Sequence, residues 1–103
     1  MDFEVVTHPE AQEELDEAIS YLKEHSLWSA GKLLTEYDLH VEKILQNPDG
    51  HHFIDAPYRC LKLKSFSYRI HYRTRQNSIY IIALAHTKRH PDYWKTRIQD
   101  DHE

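Results

Sequence analysis

The sequence contains very little glycine or cysteine. Among 103 residues there are two glycines and a single cysteine, Cys60. Two glycines exclude the glycine-rich loops with which many nucleotide-binding proteins hold phosphates. One cysteine cannot form an internal disulfide or a pair of thiolate metal ligands, a pattern that fits a reducing, cytoplasmic compartment. As a strand residue, Cys60 is more simply explained as a half-buried side chain than as a reactive thiol.

Long apolar runs are missing as well. No stretch approaches the roughly 18–20 consecutive apolar residues that a membrane-spanning helix needs. The first ten residues, MDFEVVTHPE, have no apolar core of the kind found in signal peptides. The sequence therefore predicts a cytoplasmic protein without membrane association. A length of 103 residues and a hydrophobic content of 40% predict one domain, residues 1–103, with its own core.

Carboxylates are absent from a long internal window. The net charge is −4, yet residues 56–91 contain eight lysines and arginines and no aspartate or glutamate. Residues 1–55 show the opposite balance, with thirteen acids and three bases. Such asymmetry indicates an acidic or polyanionic partner for the basic window. The alternative explanation of the asymmetry is that the sheet has a solvated basic face whose charge the acidic helices balance.

The first half of the chain has the periodicity of two helices. After a predicted strand at Phe3–Thr7, Thr7 is expected to cap a helix that has Pro9 in its first turn. A second helix is expected to begin after Ser26 and to end at the turn residues 47–50. The predicted core faces are Ala11, Leu15, Ala18, Ile19 and Leu22 in the first helix, and Ala30, Leu34, Tyr37, Val41, Ile44 and Leu45, with Leu33 adjacent, in the second. The opposite face of the first helix, which includes Glu14, reads as a solvated acidic stripe.

From residue 52 the apolar residues alternate with a period of two. Strands are predicted at residues 59–64, 68–74 and 78–85, followed by a short helix near residues 92–98. The predicted fold is α+β: an N-terminal strand, and an antiparallel helix pair packed on one face of a mainly antiparallel sheet of four or five strands. The alternation places the cations of neighbouring strands together on the other face, which we expect to be an open basic surface.

The residue pattern limits the possible chemistry. Although there are nine histidines, their spacings match no metal-binding motif, and we expect neither a metal nor a cofactor. Paired carboxylates are absent from the basic window, which argues against two-carboxylate hydrolases and two-metal nucleases. Metal-free RNA cleavage needs a base, an acid and cations for the phosphorane charge. The candidates for these roles are His71, His86 and His90 with Lys62, Lys64, Arg69 and Arg73.

Three of the side chains near the C-terminus have a structural interpretation as well as a functional one. His86 ends the most apolar strand, so it could bond a backbone group instead of taking part in catalysis. Tyr93 and Trp94 could stack on bases. For Trp94 we favour docking of the last helix on the core.

The predicted helix pair and the three segments that follow it together resemble the RelE/ParE toxin superfamily of bacterial type II toxin–antitoxin systems. The three segments are the turn NPDG (47–50), the strand YRIHY (68–72) and the run IYIIALAHTKRHPDYWKTR (79–97). The resemblance spans nearly the whole chain. It implies a compact α+β toxin, associated with plasmid stabilisation, that a cognate antitoxin holds inactive by wrapping its helices and sheet.

The superfamily implies two mechanisms. The RelE-like members are metal-free, ribosome-dependent messenger-RNA endoribonucleases, and they imply Lys62, Lys64, Arg69, His86 and Tyr93 as catalytic candidates. The ParE-like members inhibit DNA gyrase by binding, without catalysis. The motif around His86–Trp94 resembles the ParE-like branch more closely, and Cys60 stands where the ribonucleases tend to carry a cation. We therefore expect a gyrase inhibitor, with the ribonuclease and an inactive interaction module as alternatives.

The resemblance to the ParE-like branch implies two groups of site residues. The target-binding basic surface is expected to comprise Arg59, Lys62, Lys64, Arg69, Arg73, Lys88 and Arg89. The C-terminal motif is expected to comprise His86, Pro91, Tyr93, Trp94 and Arg97. The expected partners are the antitoxin and either gyrase or the ribosome with its messenger RNA.

Overall fold

The computed structural model describes residues 3–100. One five-stranded sheet carries two helices that follow its first strand, and a short 3-10 helix ends the described chain. The elements in chain order are β1 (Glu4–Thr7), α1 (Pro9–Lys23), α2 (Leu27–Gln46), β2 (Phe53–Asp55), β3 (Tyr58–Lys62), β4 (Tyr68–Arg75), β5 (Ser78–His86) and the 3-10 helix η1 (Tyr93–Asp100). The predicted α+β fold is confirmed. No helix among these residues is both long and apolar enough to cross a membrane.

The strand order in the sheet is β1-β5-β4-β3-β2. Strands β2 to β5 form an antiparallel meander, whereas β1 pairs with β5 in parallel. Strand β5 is apolar along nearly its whole length, because it lies between two strands and is covered on both faces.

The start of α1 lies one residue later than the sequence predicted. Thr7 pairs with Ile81 in the sheet, and the N–H of His8 donates to the carbonyl of Ile81 over 2.9 Å. Thr7 is therefore still part of the strand, and His8 is the N-cap, with Nδ1 accepting the N–H of Glu10 over 3.0 Å. The predicted cap at Thr7 is wrong, but Pro9 occupies the first turn as expected.

The start of α2 matches its predicted cap. The Ser26 hydroxyl accepts the N–H of Ser29 over 3.2 Å, as expected of a serine at this position. One core assignment in this helix was wrong, because Leu33 is fully buried while Leu34 is 44% exposed.

The main core lies between the helices and the sheet. Its buried members are Ala11, Leu15, Ala18, Leu33, Tyr37, Ile44, Leu63, Ile70, Tyr72, Ile79, Ile81 and Leu84. On the other sheet face, a second cluster comprises Tyr58, Tyr80, Ile82, Ala83 and Trp94. The predicted open basic face is therefore only partly open, since η1 covers some of it with Trp94. The predicted C-terminal helix exists as this 3-10 helix.

A bulge in β5 determines which side chains reach each face. His71 pairs with Ala83 and Tyr72 pairs with Ile81, so Ile82 is an extra residue without a partner position on β4. As a result, Ile82 and Ala83 both contribute to the second cluster, and Leu84 returns to the main core. Strict alternation does not predict this change of face.

Candidate functional site: a basic recess on the sheet

The open part of the second sheet face is a recess of about 500 Å³, here called the basic recess. Strands β2 to β5 form its floor, and the segment that links β5 to η1 forms a wall. Its lining residues are His52, Ile54, Cys60, Arg69, His71, Ala85, His86, Thr87, Arg89, His90, Pro91, Asp92, Tyr93, Trp94 and Lys95. Within residues 3–100, no three His, Cys, Asp or Glu side chains come together in an arrangement that could hold a metal ion.

The floor of the recess is well packed. Trp94 is 1% exposed, its Nε1–H donates to the carbonyl of Pro91 over 2.9 Å, and its ring meets Tyr58 and His71 edge to face. Trp94 therefore docks the C-terminal segment, as favoured from the sequence. Burial raises the pKa of the Cys60 thiol and outweighs the opposing effect of Arg69. A raised pKa disfavours the reactive thiolate.

His71 lies in this floor as a neutral imidazole. It is a buried side chain, and no group among residues 3–100 bonds its Nδ1 atom. Burial, reinforced by the nearby Arg69, lowers the pKa of His71 to about 4. At neutral pH it is therefore uncharged and cannot act as a general acid. Of the sequence-derived histidine candidates, His71 fits a structural role best.

The cations around the recess differ in how they are held. Lys95 bonds Asp92 over 2.9 Å and reaches Asp55 over 3.4 Å. Arg89 lies over the ring of Tyr93, with 3.8 Å between the guanidinium carbon and the ring centroid. The side chain of Arg69 is half-buried, and no acceptor among the described residues bonds its guanidinium. No acceptor within residues 3–100 bonds the N–H donors of Arg69 or of Arg89, and of these two recess cations Arg69 is the half-buried one.

A buried ion pair attaches the C-terminal segment to α1. The Arg97 guanidinium donates to both carboxylate oxygens of Glu14, over 3.0 and 2.8 Å, and the Tyr93 hydroxyl donates to Glu14 Oε2 over 2.7 Å. Burial opposes ionisation of Glu14, but the hydrogen bonds from Arg97, Tyr93 and the Leu84 N–H outweigh it and hold the pKa of this carboxyl below its usual value. These three side chains, Glu14, Tyr93 and Arg97, are called the Glu14 cluster below.

Sequence reasoning missed Glu14, which it placed in a solvated stripe. The side chain is only 14% exposed. Its spacing carried the signal, because Glu14 lies three residues after Ala11 and four before Ala18, and both of these alanines are buried. An acid on a buried helix face predicts a cationic partner, and that partner is Arg97.

The remaining sequence-derived candidates fall into two groups. Arg69, His86, Arg89, Pro91, Tyr93 and Trp94 meet around the basic recess. Arg59, Lys62, Lys64, Arg73, Lys88 and Arg97 lie outside its lining. Half of these candidates therefore line the recess, and the other half lie elsewhere.

Several candidates already bond protein groups. Lys62 Nζ donates to the carbonyls of Leu63 and Phe66, over 3.1 and 3.5 Å. His86 Nδ1 accepts the Lys88 N–H over 3.0 Å, which fixes the turn after β5. Its ring also meets Tyr68 edge to face.

Outside the recess, Arg59 and Arg73 lie beside aromatic rings. Arg59 donates to the carbonyl of His51 over 2.7 Å and covers the ring of Phe53. Arg73 lies 5.8 Å from the ring centroid of Tyr58. Lys64 and Lys88 are exposed.

Comparison with known proteins gives one matching family and two solved structures with a similar fold. A family model described as "ParE toxin of type II toxin-antitoxin system, parDE" matches residues 5–91. A solved structure titled "Chromosomal ParDE TA system from P. aeruginosa" has a TM-score of 0.72 at 17% identity, covering 84% of this chain and 97% of that chain. A mutant of the E. coli toxin RelE in the free state has a TM-score of 0.65 at 14% identity, covering 99% and 100%. These two likenesses establish the shared fold. No curated protein sequence matches the chain.

Proposed function

The chain belongs to the ParE toxin family of type II toxin–antitoxin systems, and we propose that it is a cytoplasmic toxin that inhibits DNA gyrase by binding and that a cognate antitoxin neutralises. The observation that carries this proposal is the match to the ParE family over residues 5–91. The proposed contact surface is the part of the basic window that remains exposed, with Lys88 and Arg89 beside the basic recess.

The geometry supports binding more than cleavage. A metal-free ribonuclease needs a free acid, a free base and cations around the scissile phosphate. Here the Tyr93 hydroxyl is held by Glu14, the Lys62 ammonium by backbone carbonyls, and one nitrogen of His86 by a backbone N–H. His71 has a pKa of about 4 and is neutral. The engagement of these groups in the fold supports binding through surface charge more than it supports acid–base catalysis.

The decisive experiment is pulse labelling of DNA and protein synthesis in bacteria just after induction of this chain alone. On the gyrase proposal, DNA synthesis falls first and cells form filaments. An initial fall in protein synthesis would instead support the RelE-like ribonuclease. If neither falls, the inactive interaction module is the better description.

Charge-reversal variants test whether the exposed Lys88 and Arg89 contact the target. Reversing both charges in Lys88→Glu with Arg89→Glu should remove most of the effect on DNA synthesis, because the proposed contact is electrostatic. The matched control reverses two exposed helix lysines, Lys23→Glu with Lys43→Glu, and should retain the effect. If Lys62→Ala with Arg69→Ala abolishes toxicity while the Lys88 and Arg89 reversals do not, the ribonuclease explanation replaces the proposal.

A further inference from the structure

Among the described residues, Arg69 has no acceptor, whereas Arg59 and Arg97 do. Arg97 pairs with Glu14 over 2.8 Å, and Arg59 donates to a backbone carbonyl over 2.7 Å. Arg69 is half-buried on β4, and across residues 3–100 no hydrogen bond or ion pair reaches its guanidinium. A guanidinium has five N–H donors, and removing them from water without an acceptor is unfavourable. Arg69 therefore has N–H donors available for an acceptor on another molecule.

The surroundings of Arg69 favour an anion. Arg69 and Arg89 both line the basic recess, and Asp92 is the only carboxylate among its described lining residues. That carboxylate is already bound by Lys95 over 2.9 Å. A concave surface lined by one sign of charge concentrates its field and attracts the opposite charge. The recess, at about 500 Å³, also has the dimensions of an ordinary ligand pocket.

The aromatic rings favour a carboxylate over a nucleic-acid base. Proteins that bind single-stranded nucleic acid stack bases on exposed aromatic faces. In the recess, Arg89 covers the ring of Tyr93, and Trp94 is 1% exposed. Tyr58, which packs against Trp94, is 2% exposed. The tyrosine and tryptophan rings of this region are thus used in packing, while the guanidinium remains available.

We propose that the basic recess receives a glutamate or aspartate side chain from an acidic segment of the antitoxin, with Arg69 as its two-point donor and Arg89 at the rim. Guanidinium and carboxylate groups pair through two parallel hydrogen bonds, which fix orientation as well as charge. This assignment rests on the proposed function, because a ParE-type toxin has an antitoxin as partner. An acidic segment, disordered when free, orders on the basic surface and blocks it.

The test is a titration of the intact chain with short probe peptides, followed by NMR of the backbone and of the arginine Nε–H groups. The probes are an acetylated and amidated tetraglutamate and a tetraglutamine of equal length. Tetraglutamate should bind at least tenfold more tightly and shift the Arg69 Nε–H signal and its neighbours in the recess. Equal binding of the two peptides, or shifts elsewhere on the surface, would overturn the proposal.

Three variants test the role of Arg69. Arg69→Gln should weaken tetraglutamate binding about tenfold. Arg69→Lys keeps the charge but loses the two parallel N–H donors, so its affinity should lie between those of Arg69→Gln and the unchanged chain. Lys43→Gln removes the same charge from an exposed position on α2 and should bind like the unchanged chain. If Arg69→Gln disturbs the fold, the shift of the Arg69 Nε–H signal in the unchanged chain decides the question. Unaltered affinity in a folded Arg69→Gln chain would exclude Arg69 as the donor.

One further probe, together with the labelling experiment, separates the possible outcomes. Adenosine monophosphate that binds the recess more tightly than tetraglutamate would assign the site to nucleotides and overturn the carboxylate proposal. The titration requires neither cells nor gyrase, so its result is independent of the labelling experiment. If tetraglutamate binds at Arg69 but DNA synthesis is unaffected, the carboxylate site stands and the gyrase proposal fails. If DNA synthesis falls but no peptide binds, the recess proposal fails alone.

Discussion

The carboxylate of Glu14 and the guanidinium of Arg97 form a two-point ion pair, with oxygen–nitrogen distances of 3.0 and 2.8 Å. The pair also satisfies two backbone groups of β5 beyond the end of β1. The carbonyl of Ile82 accepts from Arg97 over 3.1 Å, and the N–H of Leu84 donates to Glu14 over 3.0 Å. Strand β1 ends at Thr7, opposite Ile81, so this edge of β5 is completed by side chains. The Glu14 cluster thus completes the sheet edge and holds the C-terminal segment in place.

The first prediction concerns the loss of this ion pair. Glu14→Gln should lower the free energy of unfolding by about 3 kcal/mol, because it leaves the buried charge of Arg97 without a counter-charge. The measurement is denaturant unfolding at pH 7. Glu13→Gln, the same change at an exposed neighbouring position, should alter stability by less than about 0.5 kcal/mol. Equal effects at both positions would mean that the ion pair contributes little.

The second prediction separates the hydroxyl of Tyr93 from its ring. Tyr93→Phe should cost about 1 kcal/mol of stability, because Glu14 loses one hydrogen bond while the ring beneath Arg89 remains. The pKa of Glu14 should also rise, since the Tyr93 hydroxyl helps to lower it. Carbon-detected NMR titration of the Glu14 carboxyl gives this value directly. An unchanged Glu14 pKa would show that the hydroxyl does not bond the carboxylate in solution.

The sequence predicted the fold because its two periodicities are clear. Helical spacing from Ala11 onward and alternation from residue 52 onward each identify a buried face, and short turns leave few ways to connect the strands. The exceptions are local. Thr7 looks like a cap, yet it continues the pairing of β1 with Ile81. Hydrogen bonding to a distant strand, which no local pattern encodes, decided between the two roles.

The candidate site was less predictable than the fold. Grouping the cations by strand face identified Arg69. It could not predict that Trp94 covers part of that face, because Trp94 belongs to η1 and not to a strand. Glu14 and Arg97 are 83 residues apart, and only the folded chain brings their charges together. Pairs of this kind depend on tertiary contacts rather than on local spacing.

The third prediction compares the two tryptophans. Trp94→Ala should lower stability by about 3–5 kcal/mol, because it empties the centre of the second cluster. Trp28→Ala should cost less than about 0.5 kcal/mol, since Trp28 is 72% exposed on α2. Thermal unfolding of both variants followed by circular dichroism tests this contrast. Comparable losses at the two positions would contradict the assigned packing of η1.

The fourth prediction concerns the dependence of stability on pH through His71. Its pKa is about 4 in the folded protein and 6.5 in an unperturbed histidine, so the unfolded chain binds the additional proton between these values. Stability from His71 is therefore complete above pH 6.5 and is lost as the pH falls toward 4. At about 1.4 kcal/mol per pKa unit, this loss amounts to about 2 kcal/mol between pH 7 and pH 5.

Two variants isolate this contribution of His71. His71→Leu removes the titrating group, so its free energy of unfolding should change less between pH 7 and pH 5 than that of the unchanged chain. His25→Gln, at an exposed position on the helix side, should keep the full pH dependence. Urea unfolding at a series of pH values provides the comparison. Glu14 adds its own loss only at lower pH, because its folded pKa lies below the ordinary value of 4.5. Parallel pH profiles for His71→Leu and the unchanged chain would show that the imidazole is not held neutral by burial against Trp94.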